Sequence, residues 1–359
     1  MKYLSAVRIT EQSLATGHRR PATGDRRPAT GDCNGVIMIA LLWILTALSI
    51  IALSFSRESF VEVAAARNSQ SLEDSYFLAR GGIASTIYQL LERRYVPALR
   101  QAGEEEPTPL DLGVVTGSLG GGVYQVNIQD ESGKINVNTV SEQQLSALME
   151  AAGIGKPDSD IITDSILDWR DADPAHRING AEDDYYEALN PPYEARDGRI
   201  DTVEELLLIR GITPEYFYGR PERSEDGSVY YRYGLSRYLT VYSLRNQVNV
   251  NFAPLPVLLS IPGMPPEAAR AIYERRRVKP FRATAEISRD LGVSLGATTM
   301  PYLAADQTGI YTLTASARAA NSKARRVIRT VISLDAVGNK PYRTLYWNEN
   351  VPDYEGMTP

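Results

Sequence analysis

The residues best suited to chemistry lie in one acidic stretch, Asp168–Tyr186, which reads DWRDADPAHRINGAEDDYY. Its carboxylates are Asp168, Asp171, Asp173, Glu182, Asp183 and Asp184, with Asn179 and Gly180 at a turn between the two groups. Carboxylates this close together repel one another, so either cations of the protein or a bound metal must offset the repulsion. Oxygen-only ligands suit a hard ion, and calcium accepts about six to eight oxygens in flexible geometry. The spacing does not match an EF-hand loop.

Two explanations of the acidic stretch remain open from its residue types. One is a metal site, and the other is a solvated loop whose charges are balanced by Arg170, Arg177 and Arg196. Paired carboxylates can also perform general acid–base catalysis. The sequence, however, contains no glycine-rich phosphate loop and no histidine pair of a metallohydrolase. We therefore predict that the chain is not an enzyme.

Composition narrows the choice of function. With only two histidines, His18 and His176, and a single cysteine, Cys33, the chain offers little for histidine catalysis or zinc, and no internal disulfide can form. The formal net charge of −6 argues against nucleic acid as the main partner, since phosphate binding requires a basic face. A length of 359 residues allows two modest domains beside a membrane anchor.

An uncharged apolar segment, Val36–Phe55, has the 20 residues that a membrane-spanning helix requires. Basic residues predominate among the charges before it, which predicts a cytoplasmic N-terminus and export of the rest. A secretory signal peptide is the main alternative, but its apolar region is shorter, about 7–15 residues, and a small-residue cleavage site follows it. Here Ser56–Phe60 follows, and the apolar pattern continues through Leu91 without a proline. We predict one continuous helix of roughly 60 residues.

Alternating strand patterns occur at both ends of the remaining sequence. Val123–Gln129 alternates with period two, as do Ile310–Arg318 and Arg325–Leu334, which a short loop joins as a hairpin. We therefore predict a small antiparallel sheet from residues 123–137 and 310–334, with the long N-terminal helix packed on it. The sequence between these strands is mostly helical in pattern.

A short sequence motif occurs twice in the helical region. Ile135–Thr139 (INVNT) precedes one helix, and Val248–Phe252 (VNVNF) precedes another. The second continues to Arg276 through the turn PGMP and resembles a helix-hairpin-helix unit, whose cations here are Arg270, Arg275, Arg276 and Arg277. In membrane-anchored DNA-uptake receptors such a unit holds phosphates, so a DNA-binding or uptake protein is the alternative function. Pro265 lacks the amide that such a turn would use, which favours a hairpin that serves packing alone.

The junction Asn34-Gly35-Val36-Ile37 resembles a prepilin peptidase site, because a glycine directly precedes a long apolar helix after a basic stretch. The resemblance implies cleavage after Gly35 and methylation of Val36 as the first mature residue. An uncut signal anchor is the alternative. The fifth mature position is Ala40, whereas most pilin-like proteins carry a glutamate there that pairs with the amine of a neighbouring subunit. A subunit without this glutamate fits best where no subunit lies above it.

The acidic stretch, followed by Pro191–Tyr193 and Asp201–Gly211 (DTVEELLLIRG), closely resembles the signature of the type II secretion system protein K family, the K-type minor pseudopilins. The resemblance covers most of Gly35–Ser333. It implies an α+β, pilin-like fold in which a large, mainly helical domain is inserted between the strands of the sheet. It also implies calcium bound in the helical domain, with ligands carried over as Asp171, Asp173, Asn179, Glu182 and Asp183.

The same resemblance implies a location and a function. The protein would be a single-pass protein of the inner membrane, with its N-terminus in the cytoplasm and most of the chain in the periplasm. It would act at the tip of the type II secretion pseudopilus, helping to initiate pilus assembly and the export of folded proteins across the outer membrane. The implied partners are I- and J-type minor pseudopilins, the major pseudopilin and prepilin peptidase.

Together these inferences divide the chain into predicted regions. The leader and helix come first, then a sheet interrupted by the inserted domain, and finally a tail. The regions are residues 1–35 (a basic leader that is removed), 36–100 (the long helix, transmembrane in 36–55), 101–137 and 305–340 (the sheet), 138–304 (the inserted domain, with the hairpin unit at 248–277) and 341–359 (the C-terminal tail).

Overall fold

The structure is a computed structural model, and it describes residues 34–95, 113–223, 229–243, 245–293, 295–306, 308–320, 322–335 and 340–351. The predicted leader therefore lies outside the described residues, apart from Asn34 and Gly35. The chain divides into two units, residues 1–64 and 65–359.

The described residues form eight α-helices and eleven strands. The helices are α1 (Asn34–Tyr95), α2 (Glu142–Ala151), α3 (Asp158–Arg170), α4 (Asp183–Glu187), α5 (Pro214–Tyr218), α6 (Leu255–Leu259), α7 (Pro266–Val278) and α8 (Ala285–Leu291). The strands are β1 (Val114–Leu119), β2 (Gly122–Asp130), β3 (Ile135–Asn136), β4 (Arg220–Arg223), β5 (Val229–Arg232), β6 (Leu239–Thr240), β7 (Val248–Asn249), β8 (Leu303–Ala304), β9 (Ile310–Arg318), β10 (Arg325–Ser333) and β11 (Arg343–Asn348).

In the first unit, the described residues 34–64 belong entirely to α1. The side chains of Val36–Phe55 are all exposed. Within the described residues, one helix is long and apolar enough to cross a membrane, and its candidate span begins at Val36. An uncharged, exposed helix surface of this length is more stable in lipid than in water, because its side chains are mostly apolar. The helix can enter lipid because it satisfies its own backbone hydrogen bonds.

In the second unit, five strands form an antiparallel sheet in the order β1–β2–β9–β10–β11. An apolar stripe of α1, formed by Leu78, Ala79, Ile83, Ile87 and Leu90, packs on one face of this sheet. The sheet side chains in the same core include Val126, Ile128, Leu313, Ala315, Ile328 and Ile332. This helix-on-sheet core, with a mainly helical insertion between β2 and β9, confirms the predicted pilin-like α+β fold class.

The limits of the predicted sheet were wrong in three places. The sheet does not begin at Val123, because β1 pairs with β2 as an additional edge strand across the turn at Gly120 and Gly121, both of which have positive φ. Ile135 leaves the sheet and pairs with Leu239 of β6. The region predicted as a C-terminal tail contains β11, which pairs with β10 through a register shift. Short edge strands bury one face at most and therefore give weak patterns.

The inserted domain contains two copies of one structural unit, which explains why the sequence motif occurs twice. In the first copy, β3 pairs in parallel with β6, and in the second, β7 pairs in parallel with β8. Asn138 Nδ2 donates to Ile200 O (2.9 Å), and Ile200 N donates to Asn138 Oδ1 (2.8 Å). Asn251 and Phe281 form the same reciprocal pair at 2.9 and 2.8 Å. The two asparagine motifs therefore perform the same structural task.

An arginine near the end of the second helix closes each copy. In the first, Arg170 donates to the carbonyls of Val137 (2.6 Å) and Val140 (2.8 Å). In the second, Arg276 donates to the carbonyls of Val250 (2.8 Å) and Ala253 (2.5 Å), which occupy the equivalent positions. The copies differ in the length of the connection after the arginine, which is residues 171–199 in the first copy and only 277–280 in the second. The acidic stretch lies in this longer connection.

A buried polar group lies where β2 leads into the inserted domain. Glu131 accepts hydrogen bonds from Lys134 Nζ (2.5 Å) and Thr312 Oγ1 (2.6 Å). Burial favours the neutral acid, but Lys134 and the hydroxyls of Thr240 and Thr312 outweigh it and hold the pKa of Glu131 below its ordinary value. Burial raises the pKa of neighbouring Asp130 to about 6, and its buried Oδ2 has no hydrogen-bond partner among the described residues.

We predict that Asp130→Asn removes one component of the pH dependence of folding. The pKa of Asp130 rises from 3.8 to about 6 on folding, so its stabilising contribution is complete below about pH 4 and is lost as pH rises through about 6. Relative to the variant, the wild-type free energy of unfolding should fall by up to about 3 kcal/mol between about pH 4 and pH 7. Urea unfolding of both proteins across this range measures the difference, and parallel pH profiles would contradict the prediction.

Candidate functional site

The acidic stretch begins on the last turn of α3, on the side of the helix that faces the core. Asp168 is fully buried there and accepts hydrogen bonds from the backbone N of Arg177 (3.1 Å) and from its Nη1 (2.6 Å). The same Nη1 donates to Asp171 Oδ2 at 2.8 Å. Arg177 therefore compensates a buried carboxylate that would otherwise strongly oppose folding.

The other arginines predicted to balance the acidic stretch are engaged elsewhere. Arg170 donates to backbone carbonyls of the first copy of the repeated unit. Arg196 pairs with Asp201 and Glu205, which lie beyond the stretch. Of the three candidate arginines, only Arg177 contacts carboxylates of Asp168–Tyr186 in the described residues. The solvated-loop explanation is therefore only partly supported, because most of the carboxylates lack the arginine it assigned to them.

The turn between the two acidic groups is held rigidly. Asn179 donates through both its backbone N and its Nδ2 to Asp164 Oδ2, each at 3.0 Å. A Cβ on Gly180 would lie 1.8 Å from Asp168 Oδ2, so this position requires glycine. The carbonyl of Gly180 accepts a hydrogen bond from Arg210 Nη1 at 2.8 Å. These contacts fix the direction in which the second acidic group approaches the first.

Glu182 lies directly before α4 and is only 5% exposed. Burial, and after it the carboxylates of Asp168, Asp171, Asp197 and Asp173, together raise the pKa of Glu182 to about 7. Glu182 Oε1 and Asp171 Oδ1 are both buried, and neither has a hydrogen-bond partner among the described residues. Two buried carboxylate oxygens in an acidic environment thus lack a compensating donor.

Asp197 also belongs to this cluster, although it lies outside the acidic stretch in the sequence. Desolvation raises its pKa, and so do the carboxylates of Asp183 and Asp171. Its backbone has φ of 52°, in the left-handed region that aspartate tolerates better than most residues. With Glu182, Asp183 and Asp184 it lines a pocket of about 300 Å³. Asp197 was missed because it lies beyond the acidic stretch and returns to it only through folding.

The five predicted calcium ligands differ in their surroundings. Asp173 accepts a hydrogen bond from Ala175 N at 3.1 Å, and Asp183 accepts one from Ala195 N at 2.7 Å. In residues 113–223, as elsewhere in the described chain, no three His, Cys, Asp or Glu side chains lie close enough together to hold a metal ion. The donor chemistry nevertheless fits a hard cation, because open carboxylate oxygens are what such an ion prefers.

Three of the four arginines in the hairpin unit that suggested DNA binding contact other groups of this chain. Arg276 donates to the backbone carbonyls of Val250 and Ala253, and Arg275 Nη2 pairs with Asp290. Arg277 Nη1 lies 3.6 Å from Glu274 Oε2. The geometry supports packing as the role of this hairpin, and none of these contacts favours phosphate binding.

Two features define the class of the protein. A membrane-length apolar helix begins at Asn34, so that Gly35 and Val36 lie in its first turn. The C-terminal part of the same helix packs on an antiparallel sheet that contains a large helical insertion. This combination is that of a pilin-like protein with an inserted domain.

Comparison with known proteins agrees with this class. The family model described as "Type II secretion system (T2SS), protein K" matches residues 124–218. The type II secretion system protein K of Pseudomonas aeruginosa is 25% identical over 276 residues, covering 72% of this chain and 77% of its own. That of Pectobacterium carotovorum is 31% identical over 143 residues, covering 36% and 43%. The crystal structure of the GspK–GspI–GspJ complex from enterotoxigenic Escherichia coli matches the fold with a TM-score of 0.57 and 17% identity, over 78% of this chain and 98% of that one.

The chain is therefore similar to the type II secretion system protein K family, both in the family model that matches residues 124–218 and in these relatives. The family is a structural component of the secretion machinery.

We predict that Arg177→Gln destabilises the second unit by roughly 3 kcal/mol, because it leaves Asp168 buried without its charge partner. The matched control is Arg196→Gln, because Arg196 and its partner Asp201 are exposed, and their loss should change stability by less than about 1 kcal/mol. Chemical denaturation followed by tryptophan fluorescence reports the change, since Trp169 adjoins Asp168. Equal effects of the two substitutions would show that Arg177 does not stabilise the buried carboxylate.

Proposed function

We propose that this chain is the tip subunit of a type II secretion pseudopilus. Residues 36–55 anchor it in the inner membrane, with the N-terminus in the cytoplasm and the bulk of the chain in the periplasm. The observation that carries the proposal is a pilin-like helix and sheet with a domain of residues 131–309 inserted between adjacent strands. In this position it helps to initiate pilus assembly and the export of folded proteins across the outer membrane.

We infer the tip position from the size of the inserted domain and from the residue at position 40. An insertion larger than the sheet that carries it cannot be repeated along a closely packed shaft, but it can be accommodated at the end of one. Ala40 occupies the fifth position after the predicted cleavage site, where a shaft subunit needs a glutamate to pair with its neighbour. Neither the large insertion nor the missing glutamate would hinder a subunit at the end of the filament, where no other subunit lies above it.

The partners are proposed from the same family. The crystal structure that shares this fold is of a complex with GspI and GspJ. We propose that I- and J-type minor pseudopilins bind this chain and that the assembly then recruits the major pseudopilin. Prepilin peptidase cleaves after Gly35 and methylates Val36, which releases the apolar helix from its basic leader for entry into the pilus.

We predict that Gly35→Leu blocks both processing and secretion. The peptidase requires the glycine immediately before the apolar helix, so the intact mass of the variant should retain residues 1–35. Cells that carry this variant as their only copy should fail to export a folded type II substrate. Gly31→Leu is the matched control, since it makes the same substitution four residues earlier and should leave the mature mass and secretion unchanged.

Two results would contradict the proposal. A wild-type chain that keeps residues 1–35 in cells with active peptidase would remove the pilin-like maturation step. Antibody labelling spread evenly along filament shafts, rather than at one end, would remove the tip assignment.

Calcium binding at the acidic stretch is part of the proposal. Asp171, Asp173, Asn179, Glu182 and Asp183 would hold the ion, joined by Asp197. The support is a pair of buried carboxylate oxygens, on Asp171 and Glu182, that accept no hydrogen bond within the part of the chain that the structure describes. A bound cation would supply the missing positive charge and tie the long connection of residues 171–199 to α3. It would thereby stabilise the folded inserted domain selectively.

We predict that calcium raises the melting temperature of the wild type by several degrees relative to chelator. Ligand at about 100 times its Kd contributes about 2.7 kcal/mol to the folded state. Asp171→Asn combined with Glu182→Gln should abolish the shift, whereas Glu150→Gln, an exposed acid on α2, should preserve it. Calorimetry of full-length protein in detergent measures each case, and equal wild-type melting temperatures in calcium and chelator would disprove the site.

A further inference from the structure

The two edge strands of the five-stranded sheet, β1 and β11, differ in how they are protected against further pairing. Natural edge strands carry charged side chains, proline or a break in register, because their unpaired backbone groups can bind another strand. The β11 edge has two of these features, since it contains Arg343 and its pairing with β10 shifts register between Val331 and Ile332. The β1 edge has none of them. Its pairing with β2 is continuous, and residues 113–129 contain neither proline nor a charged residue.

The register of β1 shows which of its backbone groups face the open edge. Ile128 N donates to Gly113 O at 3.2 Å, and hydrogen-bonded pairs alternate along an antiparallel ladder. The residues that bond to β2 are therefore Val115, Gly117 and Leu119. The residues whose N–H and C=O groups point to the open edge are Val114, Thr116 and Ser118. No hydrogen bond from the described residues reaches these outward groups, and no described strand other than β2 pairs with β1.

An exposed apolar stripe of α1 lies beside the same edge. A Cβ on Gly81 would lie 3.5 Å from Leu119 Cδ2, and Phe77 and Leu119 line one pocket of about 380 Å³. Ala84 and Tyr88 follow Gly81 at helical spacing, so they continue the stripe on the same face of α1. Phe77 is 56% exposed and Tyr88 is 67% exposed. A strand added about 4.8 Å beyond β1 would lie beneath this stripe and cover both rings.

We infer that β1 receives an extended segment of an I- or J-type minor pseudopilin as a sixth strand of this sheet, an inference that rests on the proposed function. An extended backbone is the partner that matches a row of alternating N–H and C=O groups. The segment is uncharged and has apolar side chains at alternate positions, because neither β1 nor the exposed stripe contains a charged residue. A second copy of this chain fits less well, since its net charge of −6 would repel an identical chain.

The first test compares two substitutions of one residue in the full-length chain in detergent. Thr116→Pro removes an N–H that faces the open edge and that β2 does not use, so the sheet keeps its own hydrogen bonds. Thr116→Val keeps this N–H and removes only the hydroxyl. The Kd for a purified pair of I- and J-type minor pseudopilins is measured for each protein. We expect Thr116→Pro to raise this Kd at least about tenfold and Thr116→Val to leave it within about twofold of the wild type.

A second pair of variants compares the two edges of the sheet. Thr116 and Thr344 are both exposed on edge strands, so a lysine at either position should preserve the fold, and the melting temperature of each variant checks this. Thr116→Lys should weaken association, because a charged side chain on an edge strand opposes strand addition. Thr344→Lys should bind the partner pair as the wild type does. Equal weakening by both variants would overturn the inference.

Amide hydrogen exchange at residue resolution distinguishes strand addition from other contacts at this surface. In the free chain, the amides of Val114, Thr116 and Ser118 should exchange quickly, because they face the open edge. Binding of the partner pair should protect these three amides. The intervening amides of β1 should be protected in both states. A complex without new protection at the three alternate residues would overturn the inference.

The outcomes separate the inference from the proposed function. Failure of the wild type to associate would overturn both. Wild-type association that Thr116→Pro and Thr116→Lys leave unchanged would overturn the inference alone. A photo-crosslinker at Ser118 identifies the occupant, and it should capture an uncharged segment of the I- or J-type subunit. Crosslinks confined to lipid, to a second copy or to this chain itself would overturn the assignment.

Discussion

The burial of one helix face on an antiparallel sheet constrains the rest of this chain. The stripe that includes Leu78 and Ile87 cannot be buried by α1 itself, and the sheet that buries it is built from strands distant in sequence. Asp130 at the end of β2 lies opposite Tyr311 in β9. Because these two strands are hydrogen-bonded neighbours, the chain enters and leaves the inserted domain at nearly the same place on the sheet. The helix–sheet core therefore tolerates the insertion without rearrangement.

Within the insertion, local polar contacts fix a repeated frame and leave one connection free to vary. The reciprocal bonds of Asn138 with Ile200 and of Asn251 with Phe281 hold each copy closed. The chain between the helix and this closing contact can then lengthen without displacing the helices. In the first copy that connection carries the acidic stretch. These contacts hold the helices in place, and the longer connection presents the carboxylates that we propose bind calcium, as loops on a rigid scaffold commonly do.

The features that could be predicted from sequence are those with long, regular patterns. Three such patterns are long enough to predict structure. They are the apolar run from Val36, the alternation in β9 and β10, and the two asparagine motifs. The edge strands β1 and β11 were not predicted, because six half-exposed residues show little hydrophobic alternation. Asp197 escaped because its membership of the acidic cluster depends on a loop returning through space. The prediction that three arginines balance the acidic stretch was only partly correct, since Arg170 instead donates to backbone carbonyls of the first copy of the repeated unit.

Charge compensation within the chain stops short at the acidic stretch. Arg177 contacts only Oδ2 of Asp171. Within the described ranges, neither Asp171 Oδ1 nor Glu182 Oε1 has a hydrogen-bond donor, although both oxygens are buried. Arg170 cannot reach them without releasing the carbonyls that close the first copy, and Arg196 is already paired with Asp201. Buried carboxylate oxygens without partners oppose folding. Among the described residues, neither Arg170 nor Arg196 is placed to relieve this repulsion, and the calcium ion proposed for this site would supply the missing positive charge.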